Sequence, residues 1–210
     1  MLRSSLKVEE KIENFALILA PAFFAASTFY WHNGEYNTTS ATLMIVSLFF
    51  WLPAFRALFN MTANKLPLYS IWGLWIAYFG CISGVCFAFV GYLTTVLNVT
   101  HEEYLEALSR YPFTSQLLLF ASGPIFPLSI SILGIQMFRK KVVPFGTAVL
   151  FCIAGIAFPL SRIPRIEIVG HIADLLLFTP CLYVSVKGLR NNPSTSKKAN
   201  AQHEYLQQQG

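Results

Sequence analysis

The sequence predicts an all-α polytopic integral membrane protein, a six-transmembrane-helix bundle with cytoplasmic N- and C-termini. Three observations carry that prediction. Hydrophobic residues make up 55% of the 210-residue chain and charged residues only 12%, about half the quarter usual in soluble domains. The mean hydropathy is correspondingly positive, at +0.53. Second, apolar stretches near the roughly 20 residues needed to span a bilayer run over 15–31, 41–59, 68–97, 116–138, 142–160 and 168–187. Third, the basic residues alternate with those stretches. With the amino terminus inside, twelve Lys and Arg fall in cytoplasmic segments, Lys65, Arg139, Lys140, Lys141 and Lys187 among them, against Arg110, Arg162 and Arg165 outside. That is the positive-inside bias, so the net charge of +5 reflects topology rather than a nucleic-acid surface.

Each element has its own signature. The first stretch follows Glu9, Glu10 and Glu13, which does not suit the positive leader of a signal peptide, so it is expected to be an uncleaved span. The second carries Pro53. The third belongs to a segment without charge between Lys65 and His101, too long for one upright helix, and is expected to tilt and project. Its residues Gly73, Ala77, Gly80, Gly84, Ala88 and Gly91 recur at three- and four-residue steps, which puts them on one face. Such a small-residue stripe lets another backbone approach closely in lipid, and places this helix in the bundle interior. The connection that follows contains Thr100-His101-Glu102-Glu103, a capping box opening a short amphipathic helix at the outer surface. The fourth stretch holds Pro124 and Pro127 beside Ser122, Ser129 and Ser131, a pattern of bends with local donors. FPLS occurs at 126–129 and again at 158–161; its flanks do not match, and it reads as coincidence. Residues 1–190 form one transmembrane domain, and the polar stretch 191–210 reads as a disordered cytoplasmic tail.

Other chemistry has little support. Cys81, Cys86, Cys152 and Cys181 all fall within spans and form no CxxC pair, so no disulfide framework or zinc site is expected. No HExxH, phosphate-loop or GxSxG motif occurs. No metal, cofactor or catalytic residue is therefore assigned, and His32 and Glu35 read as turn residues.

Chemistry concentrates at the outer ends of the last two spans, in Arg162, Arg165, Glu167, His171 and Asp174. The last three are four and three residues apart and share one face of a helix. Asp174 lies roughly 10 Å inside the span at 1.5 Å per residue. A carboxylate there costs on the order of 3 kcal/mol on insertion scales and marks a functional hypothesis. Asp174 with His171 would suit proton coupling, and Arg162 with Arg165 would suit an anion or lipid headgroup. A zinc site using His171, Asp174 and His101 is the weakest arrangement. The structural alternative has the arginines at headgroups or paired with Glu167, and Asp174 bonded to His171 or a neighbouring helix. It too requires Asp174 to face protein.

The functional expectation is binding or transport of a small molecule, ion or lipid by this cluster, with Asp174→Asn leaving folding largely intact. The alternative is a non-catalytic membrane subunit that contacts a membrane protein partner through the glycine stripe or the outer helix. A lipid-modifying enzyme is a third class. Membrane lipids are partners under any of these, and a bacterial cytoplasmic membrane is the expected location.

Overall fold

The computed structural model describes residues 2–31, 36–120, 122–162, 164 and 166–190. His32, Glu35, Arg165 and the tail 191–210 lie outside the described residues. The described chain is helical, in the order α1 (Leu2–Thr28), α2 (Thr38–Ala63), α3 (Pro67–Leu97), α4 (His101–Ser109) and α5 (Pro112–Ser115), which runs into a π-helix (Gln116–Phe120). Then follow α6 (Ile125–Arg139), α7 (Phe145–Arg162) and α8 (Glu167–Arg190).

Local sequence explains the boundaries. Asn37 caps α2 through a box with Ser40: the Asn37 side chain accepts from the Ser40 N–H, and the Ser40 hydroxyl accepts from the Asn37 N–H. Pro67 opens α3, where its missing N–H costs nothing. Asn98, left-handed at φ 53°, closes it. Thr100 and Glu103 cap α4 reciprocally, as their spacing predicts.

The six long helices close into a ring. Each of α1, α2, α3, α6, α7 and α8 packs on the next, and α8 returns to α1. Among the described residues, four helices are long and apolar enough to cross a membrane: α2, α3, α7 and residues Glu167–Lys187 of α8. A fifth is added if the bent pair Pro112–Phe120 and Ile125–Arg139 is one span. α1 is not among them, because its early turns carry Glu9, Glu10, Lys11 and Glu13, yet it packs closely on both α2 and α8.

The connection between α2 and α3 meets that between α6 and α7. Lys65 Nζ donates to the Lys140 carbonyl at 2.6 Å. Arg56 pairs with Glu9 and, at 3.2 Å, with Glu13. The Ser185 hydroxyl donates to the Asn14 carbonyl at 2.9 Å. The core between the ends is aromatic: Trp51 lies 5.1 Å from Phe55 and 5.2 Å from Phe126, centroid to centroid, and Phe126 lies 5.4 Å from Phe158.

Two expectations change here. α3 is not interior. Its small residues do face the bundle, where a methyl on Gly80 would meet the Phe126 backbone nitrogen at 2.7 Å and one on Gly84 would meet Leu48 at 3.0 Å. Its opposite face leaves Trp72, Trp75, Ile76 and Ile82 exposed. A stripe of this width serves a peripheral helix as well as a central one, since it reports close approach on one side only. The fourth stretch, in turn, is not one bent helix but two pieces at 41°. Pro124 and Pro127 remove two amide donors. Ser83 of α3 ties the broken segment to its neighbour, donating to the Leu118 carbonyl at 2.9 Å and bonding to the Ser122 hydroxyl.

Candidate functional site: an aromatic cavity beside a buried ion pair

The break before α6 leaves space inside the ring. The cavity there has a volume of about 400 Å³, within the roughly 300–1,000 Å³ typical of small-molecule sites. Phe24, Tyr36, Met44, Leu48, Gly84 and Phe87 form part of its wall, with Leu119, Phe120, Gly123, Pro124, Phe126 and Pro127 contributing the broken segment. Phe158 and Pro159 of α7 also line it, and among the described residues Arg162 is the only charged side chain on it.

The two FPLS segments meet at this cavity. Phe126 and Pro127 open α6, whereas Phe158 and Pro159 lie near the end of the antiparallel α7, so the copies sit side by side. The shared tetrapeptide supplies two rings and two prolines to one wall. The helices can approach because Gly155 faces Ser131 and the Pro127 carbonyl, with no room for a side chain.

Arg162 is held from all sides. Its side chain is only 9% exposed, and that of Asp174 is 1% exposed. Arg162 Nη2 donates to Asp174 Oδ1 at 2.8 Å. The Thr28 hydroxyl donates to Asp174 Oδ2 at 2.5 Å and lies 3.3 Å from Arg162 Nη2. The guanidinium carbon sits 4.7 Å from the Trp31 ring centroid and 4.8 Å from that of Phe158, a two-sided cation–π arrangement. Gly170 clears the space, since a methyl there would meet Thr28 at 2.9 Å and Arg162 Nη1 at 3.2 Å. Arg162 Nε is buried without a hydrogen-bond partner.

The predicted cluster is thus split. Arg162 and Asp174 come together, joined by α1 through Thr28. His171 is half-buried, its ring 4.3 Å from that of Phe29, while the hydrogen bonds to Asp174 come from Thr28 and Arg162. Glu167 is exposed in the first turn of α8. The three residues share one face but differ in depth: Glu167 sits at the helix start and Asp174 about 10 Å further along the axis, so common spacing does not give a common environment. Among the described residues no group of three or more His, Cys, Asp or Glu could hold a metal ion. Cys81 and Cys181 are buried free thiols.

Sequence reasoning did not single out Thr28, Trp31 or the cavity wall. Thr28 and Trp31 lay at the end of the first stretch, the level of Arg162, and the repeated FPLS was the available pointer to Phe126 and Phe158.

No protein-family model matches this chain, and neither curated proteins nor solved structures show a significant match to it.

Proposed function

We propose that this protein is a six-span membrane protein, its basic end cytoplasmic, that binds a small apolar molecule within the bundle. The observation that carries the reading is the aromatic cavity with Arg162 as the one charged wall residue among those described. A mostly apolar pocket with few convergent polar groups is the common form of a small-molecule site. Arg162 and Asp174 form the polar end of that site, and the proximity of Asp174 to Arg162 assigns it the role of counterion rather than proton carrier. The inward position of the glycine stripe also supports this reading over an assembly subunit, because those small residues are occupied by contacts within the chain.

The test is native mass spectrometry of the purified protein beside Leu119→Trp, which fills the cavity from the broken segment. A small molecule retained by the wild type and lost by the folded variant is expected. Identical spectra with nothing retained would sink the proposal. Orientation is checked by labelling Lys140→Cys in intact cells or spheroplasts: protection from an outside reagent is expected, and exclusive outside labelling would invert the topology.

A further inference from the structure

We infer that the cavity takes in an acyl chain of a membrane phospholipid sideways from the bilayer, while the head group stays outside the bundle. The inference rests on the cavity being a binding site for an apolar molecule, and it narrows that molecule to a lipid chain. It follows from where the cavity is shut and where it is open. At the outer end the wall is a row of rings. The Arg162 guanidinium lies 4.7 Å from the Trp31 centroid. The Trp31 ring in turn meets Tyr36 at 5.3 Å, and Tyr36 meets Phe87 of α3 at 5.9 Å. The Thr95 hydroxyl donates to the Tyr36 carbonyl at 3.2 Å, which ties that row to α3 again. The rings run from α7 across to α3 and close the end that faces the outer aqueous side.

The side is different. The wall residues that are exposed are Phe120, Gly123 and Pro124, all on the broken segment, whereas Phe24, Leu48 and Phe158 on the facing helices are buried. The π-helix packs on α3, and among the described residues neither it nor α5 packs to a comparable degree on α7. The outer half of the ring is therefore unfilled between the broken segment and α7. Pro124 lies about 22 Å along the helix from Arg139 at 1.5 Å per residue, inside a hydrocarbon layer about 30 Å thick. An opening at that depth meets acyl chains.

The wall suits such a chain. Its polar side chains among the described residues are Tyr36 and Arg162, and Arg162 is already bonded to Asp174 at 2.8 Å. What remains is hydrocarbon and aromatic surface, which water does not fill. Left empty, that surface forfeits dispersion contacts on one side, and a chain entering from the adjoining bilayer restores them without leaving an apolar medium. A volume of about 400 Å³ accommodates one chain rather than a whole two-chain lipid, so the rest of the molecule stays in the bilayer.

The experiment places the photoreactive residue benzoylphenylalanine at Phe87 of the full-length protein. The protein is reconstituted in vesicles of dioleoyl phosphatidylcholine and phosphatidylglycerol doped with free oleate, illuminated, and read by intact mass. A phospholipid adduct is expected, and its loss is expected when Leu119→Trp fills the cavity. An adduct undiminished in folded Leu119→Trp, or an adduct with oleate alone, would overturn the inference. No adduct, with a molecule lacking an acyl chain retained by the wild type in native mass spectrometry, would overturn it and leave the cavity reading standing. No adduct and nothing retained would overturn both together. If the probe at Phe87 prevents folding, the molecule that the wild type retains from the same vesicles decides. A phospholipid lost from folded Leu119→Trp supports the inference, and a molecule without an acyl chain overturns it.

Discussion

Removing the carboxylate of Asp174 is expected to destabilise the protein strongly, and the structure sets the size of the effect. Asp174→Asn leaves the Arg162 guanidinium 9% exposed with its counterion gone. Arginine cannot escape by losing its proton. Breaking a buried pair in this way costs about 3–5 kcal/mol; the retained amide oxygen and the contacts of Arg162 with Trp31 and Phe158 favour the lower end. Arg162→Met should cost less, because the carboxyl of Asp174 can take up a proton and keep the Thr28 hydroxyl as a neighbour. The double variant removes the charge problem as well as the pair, and is expected within about 2 kcal/mol of wild type, since apolar replacement of buried pairs is often near neutral. The three variants therefore define a coupling energy of roughly 3 kcal/mol, far above the 0.5 kcal/mol scatter of independent sites. The assay is reversible unfolding in mixed micelles at increasing SDS fraction, followed by tryptophan fluorescence and repeated at high salt, where a buried pair should change little. An Asp174→Asn protein within 1 kcal/mol of wild type, or additive single and double effects, would refute the reasoning. This outcome also replaces the sequence-based expectation that Asp174→Asn leaves folding largely intact.

Four further outcomes follow from the geometry. Gly155→Ala drives a methyl against Ser131 and to 2.6 Å from the Pro127 carbonyl, so a loss of about 1–3 kcal/mol is expected from overpacking. Gly146→Ala meets nothing within 4 Å and should be neutral or slightly stabilising in the same unfolding assay. Ser83→Ala withdraws the donor that serves the Leu118 carbonyl and should cost about 1–3 kcal/mol, with faster hydrogen exchange confined to 116–125. The α4 cap should titrate: the Thr100 backbone N–H and hydroxyl hold Glu103 below its usual value of 4.5. The cap's contribution is then full above about 4.5 and lost as pH falls through the lower folded value. Amide exchange at Glu103 and Tyr104 should accelerate over that interval in wild type, and a pH-independent profile would show that the box does not hold the helix.

The parts of this structure legible in sequence are those fixed by local rules. The Thr100–Glu103 box marked the start of α4 in the sequence, and Asn37, Pro67 and Asn98 end or open their helices by the same kind of rule, because caps and prolines act within one turn. The small-residue stripe of α3 lies on a face where Gly80 and Gly84 admit neighbours that a larger residue would exclude. It could not say whether a second helix covers the other face, because in lipid an apolar surface satisfies its surroundings whether packed or exposed. For the same reason the exposed Trp72 and Trp75 look in sequence like core residues.

The site was legible only by half. Arg162 and Asp174 stood out because charge is rare and costly inside a span, but spacing along α8 joined Asp174 to His171 and Glu167 instead of to Arg162 and Thr28. Periodicity fixes azimuth on one helix and says nothing about which helices bring their own groups to that azimuth. Ring closure supplies the missing information. It sets α8 against both α7 and α1, so Asp174 meets one partner twelve residues earlier and another from the far end of the chain. The same closure converts the Pro124 and Pro127 break from a local kink into a cavity, because the other helices hold the ring open where α6 begins late. Chemistry here therefore depends on a tertiary coincidence of a broken helix and a neutralised arginine, and neither is visible until the first helix is packed on the last.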